Sequence, residues 1–124
     1  MLTRGTAFFY QDLGSTKKHL RFVLSDPNHP SGKVLCVNFA TPGGLCPDAE
    51  CFVDPSQYAW LRYRSVVAFS RRIVGNAAIL ERLIVDGTLE QPNPPTVPLA
   101  TVDFVAAKAK NSKELSKTEK SLLN

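Results

Sequence analysis

Apolar and polar positions alternate through the first part of the chain, and the clearest example lies near residue 20. Residues 20–25 alternate, Asp26-Pro27 and Pro30-Ser31-Gly32 interrupt the pattern, and residues 33–39 resume it as an apolar run with β-branched side chains. Such runs separated by turn-forming residues are typical of a hairpin with a longer loop. The stretch therefore predicts two paired strands with polar groups close to their ends.

Shorter strand patterns flank this hairpin. Residues 6–10 form an aromatic run followed by a turn over 11–16, and residues 51–53 and 65–69 are further β-branched or aromatic runs. A loop rich in Pro and Gly separates the hairpin from residue 51. About five short strands with strong turns predict a small curved barrel or a partly open sheet.

The pattern becomes helical in the second part of the chain. Asn76 is suited to cap a helix that ends before Gly87, and the prolines of 91–98 predict an irregular, stiff connector. A Ser116/Glu119 capping box predicts a last short helix. The predicted helix over residues 99–110 has one apolar face, formed by Leu99, Val102, Val105, Ala106 and Ala109.

These elements predict one α+β domain over residues 1–124. Its parts are a β-barrel core at 5–73, a helix at 76–87, the connector and a C-terminal helical segment at 99–124. The helices are expected either to pack on the barrel or to pair two copies of the chain.

Charge changes the picture by its distribution more than by its total of +4. Basic clusters lie at 17–21, 62–72 and 108–120. Lys17, Lys18, Arg62 and Arg64 are candidates for contacts to RNA, since basic groups near aromatic rings suit phosphates and bases. The alternative, a solvated charged surface, stays open. The aromatic stretch 57–63 is either a hydrophobic plug or a base-stacking platform.

Several classes of protein are poorly supported. The chain has no apolar run of roughly 18 residues and no leader-like start, so a cytoplasmic protein without a membrane span is expected. Cys46 and Cys51 lack zinc-site spacing, and no phosphate-binding or nucleophile-elbow motif is present. We therefore expect neither a metal nor a cofactor.

Short motifs along the first half of the chain resemble the PemK/MazF-like toxin fold, in a divergent branch in which Lys-His-Leu replaces Arg-Pro. The residues that carry the resemblance are Lys18-His19-Leu20, Val23-Leu24-Ser25-Asp26-Pro27, Val37-Asn38-Phe39-Ala40-Thr41, Cys51 and Ser65-Val66-Val67-Ala68-Phe69. The resemblance implies an SH3-like barrel and a metal-independent endoribonuclease that cuts single-stranded RNA. It also implies a cognate antitoxin protein, and a homodimer is a further expectation. The branch has a histidine in a His-Pro-Phe-Ile segment that residues 57–61 lack.

Metal-free RNA cleavage needs a base, an acid and a cation at the phosphate. His19 is the candidate base or acid, because an imidazole can accept or donate a proton, while Arg21 offers a charged fork to the phosphate. The resemblance suggests that Thr41 donates a hydrogen bond to the phosphate, and Ser65 is a second candidate hydroxyl.

Each of these residues also has a structural interpretation. His19 can be a surface or hydrogen-bonded residue, Arg21 can cover an apolar edge, and Thr41 and Ser65 can serve local turns. Two other functions therefore remain open: a non-catalytic SH3-like module that binds RNA or a protein partner, and a structural protein that dimerises through its C-terminal helices.

Overall fold

A computed structural model describes residues 1–11, 14, 16–44 and 46–124 of the chain. In this part the strands are β1 Ala7–Gln11, β2 Lys18–Val23, β3 Lys33–Ala40, β4 Phe52–Val53 and β5 Ser65–Asn76. The helices are α1 Ala77–Val85, α2 Leu99–Lys110 and α3 Lys117–Ser121. The predicted turn at 11–16 and the predicted loop at 42–50 lie partly outside the described residues, at positions 12, 13, 15 and 45. The α+β class is confirmed.

The strands form one antiparallel sheet in the order β1-β2-β3-β5-β4. The predicted hairpin is its centre, with Arg21 opposite Asn38 and Val23 opposite Cys36. Polar turn residues at 26–32 separate two β-branched and aromatic runs, which is why these two segments pair locally. Asn38 in turn lies opposite Ala68 of β5.

Strand β5 is longer than the sequence predicts, because it continues past residues 69 and 73 to Asn76. Its second half pairs with the beginning of β3, where Ile73 lies opposite Cys36. Cys36 and Asn38 are two positions apart, whereas their partners Ile73 and Ala68 are five apart, so β5 bulges between them. Pairing with β3 therefore outweighs the low strand propensity of Gly75 and Asn76.

Both faces of the sheet are covered, which sets the environment of every strand residue. One face packs against α2, with a core that includes Leu20, Phe22, Val37, Phe69, Val102, Val105 and Ala109. The other face packs against α1, with a smaller core of Leu2, Phe8, Val23, Val34, Cys36 and Leu80. Simple two-residue alternation therefore gives way to continuous burial in the middle strands.

The helix boundaries follow the predicted signals. Asn76 caps α1 by accepting a hydrogen bond from the Ile79 backbone N–H at 3.0 Å, and Gly87 lies beyond its end at a φ of 82°. The predicted capping box at α3 is also present. One face residue was predicted wrongly: Leu99 is 59% exposed. Thr101 is buried instead, because its hydroxyl donates to the Gln57 carbonyl at 2.6 Å.

The Pro-rich connector and Glu90, the residue before it, cover an edge of the sheet. The β1 backbone N–H groups of Ala7 and Phe9 donate to Pro95 and Glu90 carbonyls at 2.9 and 2.8 Å. An exposed strand edge invites pairing with other chains, so this cover stabilises the isolated sheet. In the described part of the chain, none of the helices has the length and apolar content to cross a bilayer.

Candidate nucleic-acid interface

One end of the sheet collects most of the predicted site residues. β1 ends where β2 begins, with Gln11 opposite Lys18, and β3 ends where β5 begins, with Ala40 opposite Val66. The connection at 54–64 joins β4 to β5 at the same end. We call this surface the basic end of the sheet, and it is formed by Lys17, Lys18, His19, Thr41, Trp60, Arg62, Tyr63 and Arg64.

The cations of the basic end are accessible to solvent. Lys17, Lys18, Arg62 and Arg64 are all exposed. Lys18 lies 3.9 Å from a carboxylate oxygen of Glu90, and both side chains are more than half exposed, so this ion pair is weak and screened by salt. The guanidinium of Arg64 lies 4.1 Å from the Phe52 ring centroid, which fixes its stem without neutralising its charge. Lys18 and Arg64 therefore keep charged groups at this exposed surface.

The aromatic stretch at 57–63 divides between the two predicted roles. Tyr58 is a plug: its side chain is 1% exposed and its hydroxyl donates to the Pro94 carbonyl at 2.7 Å. Trp60 and Tyr63 are 36% and 58% exposed. The Trp60 ring packs edge-on against Phe9, with centroids 5.8 Å apart, so it is held in place while part of it faces solvent.

Thr41 lies at the exit of β3, exposed, with its side chain next to the exposed Tyr63. The two hydroxyl oxygens are 3.3 Å apart, longer than the usual 2.7–2.8 Å of a hydroxyl hydrogen bond. The contact links the end of β3 to the connection before β5. It places two hydroxyl groups among the cations of the basic end.

His19 is half-buried on β2, opposite Tyr10 of β1. It lies one position inside Lys18, at the border between the exposed strand start and the covered middle of β2. Arg21 follows two residues later and so projects from the same face of the strand.

Arg21, however, is inside the protein. Its side chain is 1% exposed, one guanidinium nitrogen donates to the Arg71 carbonyl at 2.6 Å, and the guanidinium lies 5.0 Å from the Tyr10 ring centroid. We expected its fork to face a phosphate, but the Tyr10 ring and the backbone at Arg71 enclose it. In this conformation its fork bonds protein backbone instead of a solvent-borne phosphate.

Ser65 is also buried, at 4% exposure. Its hydroxyl donates to the backbone carbonyl of Tyr63 at 3.3 Å, so it supports the turn into β5. Of the residues predicted to be catalytic, the structure thus places His19 and Thr41 at the basic end with accessible surface, and Arg21 and Ser65 behind other atoms.

Sequence reasoning missed Tyr63 as a site residue, although the aromatic stretch signalled it. Its exposure and its contact with Thr41 depend on how the 54–64 connection crosses the sheet, which local pattern does not determine. Sequence reasoning also did not single out Asn38, because its burial depends on the pairing of three strands. It is fully buried, and neither its side-chain oxygen nor its nitrogen has a hydrogen-bond partner in the described part of the chain.

A second polar cluster lies at Ser70, in the bulged part of β5. The Asp48 carboxylate accepts hydrogen bonds from the Ser70 N–H at 2.9 Å, from the Ser70 hydroxyl, and from the Cys46 thiol at 3.2 Å. Burial alone would raise the pKa of Asp48, but the bonds from Ser70 outweigh it and hold that pKa below its usual value. These hydrogen bonds hold Asp48 against β5, so the cluster has a structural role.

Comparisons with protein-family models, with curated proteins and with solved structures found no match to this chain.

Proposed function

We propose that this protein binds single-stranded RNA at the basic end of its sheet. The observation that carries the proposal is the combination of four exposed cations with two partly exposed aromatic rings on one end of the fold. Surfaces that bind single strands combine cations that follow the phosphate backbone with rings on which bases stack. Each stacked base contributes about 1–3 kcal/mol.

The proposal extends to the fold. An antiparallel sheet of five strands with a strongly bulged fifth strand is compatible with an SH3-like barrel of the PemK/MazF type. The motifs at 18–27 and 37–41 that resemble this fold lie on β2 and β3 and in the turns that follow them. The cytoplasmic location, the cognate antitoxin and the homodimer remain predictions from the resemblance and the sequence.

Binding is tested by the fluorescence anisotropy of a labelled single-stranded RNA, titrated in the presence of EDTA at several salt concentrations. We expect saturable binding that weakens as salt rises, because each phosphate contact on a single strand contributes about 0.7 to the logarithmic salt slope. Arg62→Ala is expected to weaken binding about 3- to 10-fold and to reduce that slope by about 0.7.

Arg82→Ala is the matched control, because it removes the same charge from an exposed position on α1, beyond the other end of β5. It should bind like the wild type. Equal losses in the two variants would show that total charge matters and the basic end does not. Undetectable RNA binding by the wild type at low salt would contradict the proposed function.

RNA cleavage is a second candidate function, and the position of His19 favours it. Its half-buried imidazole belongs to the basic end, where it can donate a proton to bound RNA or accept one from it. With Arg21 enclosed, the phosphate charge would be balanced by the exposed cations. Product RNA on a denaturing gel, formed in EDTA by the wild type and lost in His19→Ala, would support cleavage. RNA that is bound but stays intact would leave a non-catalytic binding module.

A further inference from the structure

Tyr63 has two properties that its neighbours do not combine. Its ring is the most exposed of the aromatic side chains at the basic end, and its hydroxyl reaches the hydroxyl of Thr41. The surrounding cations Arg62 and Arg64 are its sequence neighbours, so a phosphate backbone held by them passes close to the phenol.

The two hydroxyls have hydrogen-bonding capacity to spare. Each carries one proton and two acceptor lone pairs, and their mutual bond uses one proton and one lone pair. The pair therefore keeps one free donor and several acceptors. The two oxygens are 3.3 Å apart, which is long for a hydroxyl pair. A ligand group that binds between them therefore breaks only a weak hydrogen bond.

A ribose 2′-hydroxyl has the matching capacity, because it is both a donor and an acceptor. Phosphate oxygens only accept, and deoxyribose offers nothing at this position. A site with one donor and free acceptors can satisfy both functions of a 2′-hydroxyl at once.

We infer that the Thr41–Tyr63 hydroxyl pair contacts a ribose 2′-hydroxyl and makes the protein prefer RNA over single-stranded DNA. This inference rests on the proposed function and adds the feature of the ligand that is recognised. The preference is expected to be about 2- to 13-fold, the effect of one hydrogen bond of about 0.5–1.5 kcal/mol.

The test compares the affinities of a single-stranded RNA, the DNA of the same sequence and a 2′-O-methyl RNA, for the wild type, Tyr63→Phe and Thr41→Val. Both substitutions remove a hydroxyl. Tyr63→Phe keeps the aromatic ring, and Thr41→Val keeps the shape of the side chain. The control is Tyr58→Phe, which makes the same chemical change at a buried hydroxyl bonded to Pro94. Melting curves check that each variant is folded.

We expect the RNA-to-DNA affinity ratio to fall towards one in Tyr63→Phe and Thr41→Val, through loss of RNA affinity, and to stay at the wild-type value in Tyr58→Phe. The wild type should also bind 2′-O-methyl RNA less tightly than RNA. A wild-type ratio of one, or a ratio that persists in both hydroxyl variants, would overturn the inference while leaving RNA binding intact. Absence of binding to all three strands would instead reject the proposed function itself.

Discussion

Asn38 allows a sharp test of the packing between β2, β3 and β5. Its side chain is fully buried, it lies opposite Arg21 on one side and Ala68 on the other, and both amide atoms lack a hydrogen-bond partner among the described residues. A buried polar group left in this state destabilises a protein by about 1–3 kcal/mol. Leucine has the same branching at Cγ without polar atoms, so Asn38→Leu should remove this penalty.

The expected gain in the free energy of unfolding is about 1–3 kcal/mol. An unfolding entropy of about 2.1 cal/mol/K per residue gives about 0.26 kcal/mol/K for a chain of this length, so each kcal/mol raises the melting temperature by about 4 °C. Urea unfolding followed by circular dichroism, together with thermal melts, measures both quantities.

Ser25→Ala is the matched control. Ser25 is also buried, at 1% exposure, but its hydroxyl accepts a hydrogen bond from the Leu35 backbone N–H at 2.8 Å. Its removal leaves a buried donor without a partner and should destabilise the protein by about 1–3 kcal/mol. If Asn38→Leu were destabilising to a similar degree as Ser25→Ala, the amide would have to be bonded in solution, and the reasoning would be refuted.

Two further predictions concern acid stability and thiol chemistry. The hydrogen bond from Arg72 holds the pKa of Glu119 below its usual value, so its stabilisation is present at neutral pH and is lost as the pH falls through the folded-state pKa. Glu119→Gln should therefore lower the free energy of unfolding at pH 7, and the difference from the wild type should shrink below about pH 4. Urea unfolding at several pH values measures this difference. A difference that does not change with pH would contradict the prediction. Burial raises the pKa of the Cys36 thiol to about 12, so iodoacetamide at pH 8 should modify Cys36 only after unfolding. Mass spectrometry detects the modification. Rapid labelling of Cys36 in the folded protein would contradict its burial.

The sequence predicts the local elements well, because their signals are local. The hairpin around 20–39, the cap of α1 at Asn76 and the capping box of α3 depend on turn residues and side-chain-to-backbone bonds within a few positions. The extension of β5 to Asn76 depends on its partner, the beginning of β3, which is more than 30 positions away. No local pattern in this segment indicates that pairing.

The candidate site was predictable in position but not in accessibility. The antiparallel hairpin brings Lys18 and Thr41 to one end of the sheet, and the pairing of β5 with β3 adds Arg64. The burial of Arg21 depends on contacts with Tyr10 of β1 and the backbone at Arg71 of β5, and alternation along β2 cannot reveal them. The exposure of Tyr63 likewise depends on the path of the 54–64 connection.

The most direct measurement uses the protein's own fluorescence, since Trp60 is the only tryptophan in the chain. Its ring lies at the basic end and is partly exposed, so a base that stacks on it should quench its emission. Titration with unlabelled single-stranded RNA should give saturable quenching whose midpoint matches the anisotropy Kd and moves to higher concentration with salt. RNA that binds by anisotropy while the Trp60 emission stays unchanged would place the RNA elsewhere on the protein and contradict the account.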